Sequence, residues 1–198
     1  MKKETLKNIF NFLEEKEGKK SKHKYGLKWK LTFNEPLNKE DLNFKGSLDL
    51  KYLEITSLPE GLKVGGYLDL RHSNITSLPK GLEVGSNVNL NYSEITTLPE
   101  GLKVGGYLDL SKTKITSLPE DLQVSGYLDL SETKITSLPK GLQVGGRLFL
   151  SQSEVNNLPK GLQIGGDLFI RDMSLLKYSD DELREMIKPG YIKGDIIR

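Results

Sequence analysis

Acidic and aromatic side chains recur in this chain at a spacing of 20 residues, and they are the side chains with the most chemistry to offer. Asp49, Asp69, Asp109 and Asp129 share one position of that spacing, and Asn89, Phe149 and Phe169 fill the rest of the column. Tyr67, Tyr107, Tyr127 and Arg147 stand two residues earlier; Lys51 and Arg71 stand two residues later. If residues 20 apart are neighbours in space, the carboxylates stack. Like charges facing one another at strand spacing repel, and a basic partner or a cation offsets that cost. Tyrosine beside a carboxylate suits a protein interface, where aromatic rings anchor and charges select. The plainer reading is a hydrophilic strand face on which Lys51 and Arg71 partly neutralise the acids. Phe149 and Phe169 add an apolar patch in the C-terminal half, either a contact site or a surface lying under a C-terminal helix. The expected partner-binding set is Tyr67, Asp69, Arg71, Tyr107, Asp109, Tyr127, Asp129, Arg147, Phe149 and Phe169.

Reaction chemistry has little to build on. The histidines are His23 and His72, and there is no cysteine. Gly105-Gly106 is not a phosphate loop, because no helix follows it. The aspartate columns lack the mixed ligand geometry of a calcium loop. The expectation is a protein that is not an enzyme and holds no metal or cofactor. Absence of cysteine fits a reducing compartment. No apolar run reaches membrane-spanning length, and no signal-like apolar segment follows the N-terminal lysines. A cytoplasmic protein is therefore expected, or one secreted without a cleavable signal peptide, with no membrane contact.

A repeat must position these columns. The stretch GYLDLSKTKITSLPEDLQVS, Gly106 to Ser125, recurs from Gly46, Gly66, Ser86, Gly126 and Gly146, with an eroded copy from Gly166. Self-similarity at a short fixed period marks a solenoid, in which no coil buries its own apolar face and stability belongs to the stack. In the coil from Gly66 the apolar positions are Leu68, Leu70, Ile75, Leu78, Leu82 and Val84. The alternation Leu82, Val84, Ser86, Val88, Leu90 predicts a strand with one buried face that runs on from one coil into the next. The recurring Leu-Pro pair, as at Leu118-Pro119, predicts an extended or turned edge, because proline lacks an N–H and fixes φ. The expected fold class is a mainly β solenoid of parallel strands, capped by helices at both ends. One structural domain is expected, made of an N-terminal cap over 1–45, the repeat over 46–175 and a C-terminal cap over 176–198.

The pattern Leu108-x-Leu110-x-x-Thr113-x-Ile115, followed by Leu118-Pro119-x-x-Leu122, resembles the leucine-rich repeat family. It is most similar to the short LP-containing repeats of bacterial proteins, secreted effectors among them. The resemblance covers about residues 46–175. It implies that the Tyr, Asp and Phe columns lie on the concave sheet, the family's usual ligand face. It also implies a protein-binding effector or inhibitor of bacterial or phage origin. The chain departs from the family in carrying Ser73, Ser93, Thr113, Thr133 and Ser153 where the usual residue is Asn. A hydroxyl satisfies fewer buried backbone groups than an amide, which leaves a straighter, β-helix-like solenoid as the alternative.

The ends differ in charge and pattern. Residues 1–30 hold ten Lys against four Glu, a balance of +6 that leaves −4 on the rest of a chain whose net charge is +2. Leu6, Ile9, Phe10 and Leu13 predict an amphipathic helix over 4–17, ended by Gly18. Leu27, Trp29, Leu31 and Phe33 alternate with Lys28, Lys30 and Thr32, which predicts an amphipathic strand with its lysines outward in a degenerate coil over 27–45. Lys19, Lys20, Lys22, Lys24, Lys28 and Lys30 are the alternative site, an anionic contact for nucleic acid. At the other end, Ser179 to Glu182 predicts a capping box opening a helix. Ile192 and Ile196 then re-enter the repeat, making the last coil 28 residues long. The expected function is non-catalytic recognition of another protein. Nucleic-acid binding through the basic segment, and an architectural or self-associating solenoid, are the alternatives.

Overall fold

The computed structural model describes residues 26–198. Among the described residues, two short helices flank a stack of paired two-residue strands. Helix α1 is Leu27–Phe33. The strands follow as β1 (Asn43–Phe44), β2 (Leu48–Asp49), β3 (Lys63–Val64), β4 (Leu68–Asp69), β5 (Glu83–Val84), β6 (Val88–Asn89), β7 (Lys103–Val104) and β8 (Leu108–Asp109). They continue as β9 (Gln123–Val124), β10 (Leu128–Asp129), β11 (Gln143–Val144), β12 (Leu148–Phe149), β13 (Gln163–Ile164) and β14 (Leu168–Phe169). A 3-10 turn (Ser174–Lys177), helix α2 (Asp180–Met186), β15 (Tyr191–Ile192) and β16 (Ile196–Ile197) close the stack. The odd-numbered strands form one eight-stranded sheet and the even-numbered strands another. Every pairing is parallel, so the molecule is a parallel β-solenoid.

The continuous strand expected across coils is in fact two strands, one in each sheet. The break falls at the Gly-Gly pair. Gly65 and Gly66 both donate backward, to Phe44 O (2.8 Å) and Gly46 O (3.0 Å). From Leu68 onward the donors point forward, Leu68 N–H to Asn87 O at 2.9 Å. Two successive backward donors break the alternation a single strand requires and turn the chain into the second sheet. Glycine suits the bend because neighbouring backbones crowd there: a Cβ on Gly105 would meet the Gly85 carbonyl.

Leu68, Leu70, Ile75, Leu78, Leu82 and Val84 are all buried, as the pattern predicts, and their counterparts extend the core along the stack. Three members of the hydroxyl column bond within their own coil. Ser73 Oγ donates to Leu70 O (2.7 Å), and Thr113 and Thr133 do the same to Leu110 and Leu130 (2.6 Å each). Ser93 and Ser153 have buried hydroxyls with no partner.

The segment predicted as an outward-lysine strand is helix α1. Its apolar spacing serves both periods, since residues four apart also share a helix face. Leu27 is buried and Leu31 packs on the core, while Trp29 and Phe33 meet at 4.1 Å between ring centroids. Asn34, left-handed at φ 53°, ends the helix. The degenerate first coil joins the sheets through β1, which pairs with β3, and its Leu27, Leu31 and Leu37 pack on the core. The predicted helix over 4–17, with Lys19, Lys20, Lys22 and Lys24, lies outside the described residues.

At the C-terminal end the capping box is present: Ser179 Oγ accepts from Glu182 N–H, and Glu182 Oε2 accepts from Ser179 N–H at 2.7 Å. Leu168 pairs with Ile196, the 28-residue last coil. Arg184 of α2 donates to Ile192 O and to Gly194 O, the latter at 2.8 Å. These two carbonyls face the place of a following coil, so the guanidinium caps the edge of the odd sheet. Among the described residues no helix is long and apolar enough to cross a membrane.

Candidate functional site

The even sheet places the aspartates in register. Asp49 faces Asp69, Asp69 faces Asn89, Asn89 faces Asp109, and Asp109 faces Asp129; Phe149 and Phe169 then continue the row. Each acid has a local task. Asp49, Asp69, Asp109 and Asp129 accept the backbone N–H two residues on, at 2.8–3.3 Å, and Asn89 does the same for Asn91 at 3.0 Å. A short acceptor at this position holds the corner where the chain leaves the strand. The amide at Asn89 shows that this task needs no charge.

The ten expected residues do not form one uniform site. Asp69 is buried, and Arg71 grips it through Nε (3.0 and 3.2 Å) and Nη2 (2.6 Å). Burial pushes the Asp69 carboxyl up, but the hydrogen bonds and charge of Arg71 outweigh it and hold the group below its ordinary value. The bond to Asp69 likewise raises Arg71, with further contributions from Tyr52 and Tyr107. Arg147 pairs with Asp167 at 3.2 Å. Tyr67 is 44% exposed and separated from Tyr107 by Asn87 in its own column.

The remaining residues converge. Tyr107 and Tyr127 stack at 4.5 Å, Tyr127 meets Phe149 edge-on at 5.7 Å, and Phe149 stacks on Phe169 at 4.4 Å. The ladder therefore crosses diagonally from the tyrosine column to the phenylalanine column. Helix α2 does not line the cleft beside Phe169, which is bounded by Ser151, Gln152, Arg171, Ile197 and Arg198. Beside the ladder lie Asp109 and Asp129, and among the described residues neither has a lysine or arginine at ion-pair distance. Burial pushes the Asp129 carboxyl up, and the charges of Asp109 and Glu132 push the same way. Hydrogen bonds from Ser131 oppose the shift without cancelling it. The Tyr127 hydroxyl is raised to about 12, first by burial and then by Tyr107, Asp109 and Asp129.

A second aromatic row, outside the expected binding set, runs along the stack. Tyr52, His72 and Tyr92 stack at 4.8 Å each, and Lys112 Nζ lies 4.8 Å above the Tyr92 ring. Tyr52 is 67% exposed and Tyr92 47%. With Lys112, Glu132, Gln152 and Asp172 they form a column of left-handed residues, φ 52–59°, at the corner following each even strand. Left-handed backbone costs an L-residue about 1–2 kcal/mol. Contacts along the column oppose that cost, including Lys112 to Glu132 (3.3 Å) and Gln152 to Asp172 (3.1 Å). The 20-residue spacing was the available signal.

The alternative anionic site is not assembled in the described residues. Lys30 Nζ is tied to Asp41 at 2.6 Å, both side chains nearly buried, while Lys28 is exposed. Residues two apart on a helix point in different directions, so these lysines share no face. Among the described residues no group of three or more His, Cys, Asp or Glu is placed to hold a metal ion. No protein-family model matches the chain, and no curated protein does.

Proposed function

We propose that this chain is a non-catalytic protein-recognition module that binds a partner surface of mixed basic and apolar character. The observation that carries this reading is the ladder Tyr107–Tyr127–Phe149–Phe169 beside the unpaired carboxylates Asp109 and Asp129. Rings of this size supply contact area at small entropic cost, and a carboxylate without its own cation selects a basic partner. Asn89 strengthens the reading, because an amide holds the same corner and leaves the charge of Asp109 and Asp129 without a structural need. A narrower form is an effector or inhibitor of bacterial or phage origin, akin to short leucine-rich repeats. The Leu-Pro spacing supports that form.

The test is capture from a lysate of the source cells by the immobilised chain and by Tyr107→Ala/Asp109→Asn/Phe149→Ala. A protein retained by the first and released by the second supports the proposal. Equal retention by both sinks this surface. Recovery of nucleic acid alone, lost steeply with salt, shifts the assignment to the basic segment.

A further inference from the structure

The odd sheet carries a second surface of different chemistry. Its outward column starts charged, with Lys63 facing Glu83 and Glu83 facing Lys103. It then becomes neutral: Gln123, Gln143 and Gln163 stand in register, and Tyr191 follows Gln163. A cleft of about 320 Å³ runs along these residues, with Ser125, Gly145 and Gly165 in its lining. Tyr191 is 43% exposed at one end, and Lys193 Nζ lies 5.6 Å from its ring centre.

We propose that this cleft binds a neutral, extended oligosaccharide. Three features select that chemistry. No hydrogen bond within the described residues engages the side-chain amides of Gln123, Gln143 or Gln163. Each amide offers donors and an acceptor, the complement of a hydroxyl that does both. Their repeat along the stack presents the same pair of functions at successive strand spacings, as a polymer of like units requires. The backbone beneath is already spent: Gly145 and Gly165 donate to Val124 and Val144 at 2.9 Å each, so the floor offers an extended peptide no ladder to join. Tyr191 supplies a ring face and a hydroxyl at the cleft's end, the amphipathic platform on which the C–H face of a sugar ring rests. Among the described residues, Lys193 is the one cation in the lining, which disfavours a polyanion.

The experiment uses the full chain, isotope-labelled, titrated with short oligomers of β-linked glucose, N-acetylglucosamine and mannose at millimolar concentration. Oligogalacturonate and an uncharged peptide serve as controls. The expected result is movement of the side-chain amide resonances of Gln123, Gln143 and Gln163 with at least one neutral oligomer. Tyr191→Ala should then weaken binding about tenfold, while Tyr107→Ala/Tyr127→Ala leaves it unchanged. That last comparison separates this cleft from the proposed protein-binding face. No movement with any neutral oligomer, equal binding by Tyr191→Ala, or preference for oligogalacturonate or the peptide overturns the proposal. Tyr191 and the glutamine side chains lie on the surface, and a thermal melt of each variant confirms that folding is intact.

Discussion

Replacing Asp129 by Asn should stabilise the folded chain at neutral pH, although it removes a charged side chain from a hydrogen bond. Asp129 Oδ1 accepts from Ser131 N–H at 2.8 Å, and Asn89 makes the same bond to Asn91 at 3.0 Å. The amide therefore keeps the corner. What disappears is a carboxylate that burial and its neighbours Asp109 and Glu132 disfavour in its ionised form. The folded pKa is raised, so the contribution of this group to stability is fully present below the ordinary carboxylate value. It is lost as pH rises through the higher folded value. At pH 7 the ionised group opposes folding. Facing pairs in a sheet are worth about 0.2–1 kcal/mol, so Asp129→Asn should gain a few tenths to about 1 kcal/mol. In a chain of this size that is a rise in Tm of about 1–3 °C. Thermal and urea unfolding at pH 7 and pH 3 measure it, and the gain should vanish at pH 3. Asp69→Asn supplies the opposite case. Its folded pKa is lowered by Arg71, so its stabilisation is present at pH 7 and fades as pH falls through that lowered value. Loss of the two-pronged charged bond should cost about 1.5–3 kcal/mol at pH 7. A destabilised Asp129→Asn at pH 7, or a gain that persists at pH 3, would mean that the ionised carboxylate does not oppose folding.

Four further substitutions probe the scaffold. Ser93→Ala should change stability little or raise it slightly, because the Ser93 hydroxyl is buried without a partner; Ser73→Ala should cost about 1 kcal/mol by removing the bond to Leu70 O. Urea unfolding of the pair checks both. Arg184→Ala should cost about 1–2 kcal/mol and speed hydrogen exchange at residues 191–194, since it uncaps two edge carbonyls. Gly190→Ala should cost about 1–3 kcal/mol, because the added Cβ overlaps the Leu162 carbonyl, a backbone atom that cannot swing away. An unchanged melt for Gly190→Ala would mean that the turn leading into β15 relaxes freely.

The period, the buried positions, the 28-residue last coil and its capping box were legible because each leaves a local mark: leucine spacing, Leu-Pro pairs, Ser179 three residues before Glu182. The split into two sheets was not. Side-chain alternation continues through Gly85 and Ser86, while the reversal that divides the sheets lies in the backbone hydrogen bonds. Residues 27–33 satisfy a period of two and a spacing of four at once, so pattern alone could not choose helix over strand. At the site, the columns were legible but their joining was not. Tyr127 reaches Phe149 diagonally, between columns that the sequence presents as separate. The left-handed corner was hidden because Tyr, Lys, Glu and Gln are not residues that announce positive φ. Nor does residue type distinguish Asp69, closed by Arg71, from Asp129, which has no such partner.

On the proposed function, the carboxylates beside the ladder serve a partner and are dispensable to the fold. Asp109→Asn/Asp129→Asn tests it directly, by measuring unfolding stability and affinity for the captured partner on the same preparation. Stability should equal or exceed that of the parent chain, with affinity reduced about tenfold or more. Undiminished affinity in the stable double variant would contradict it.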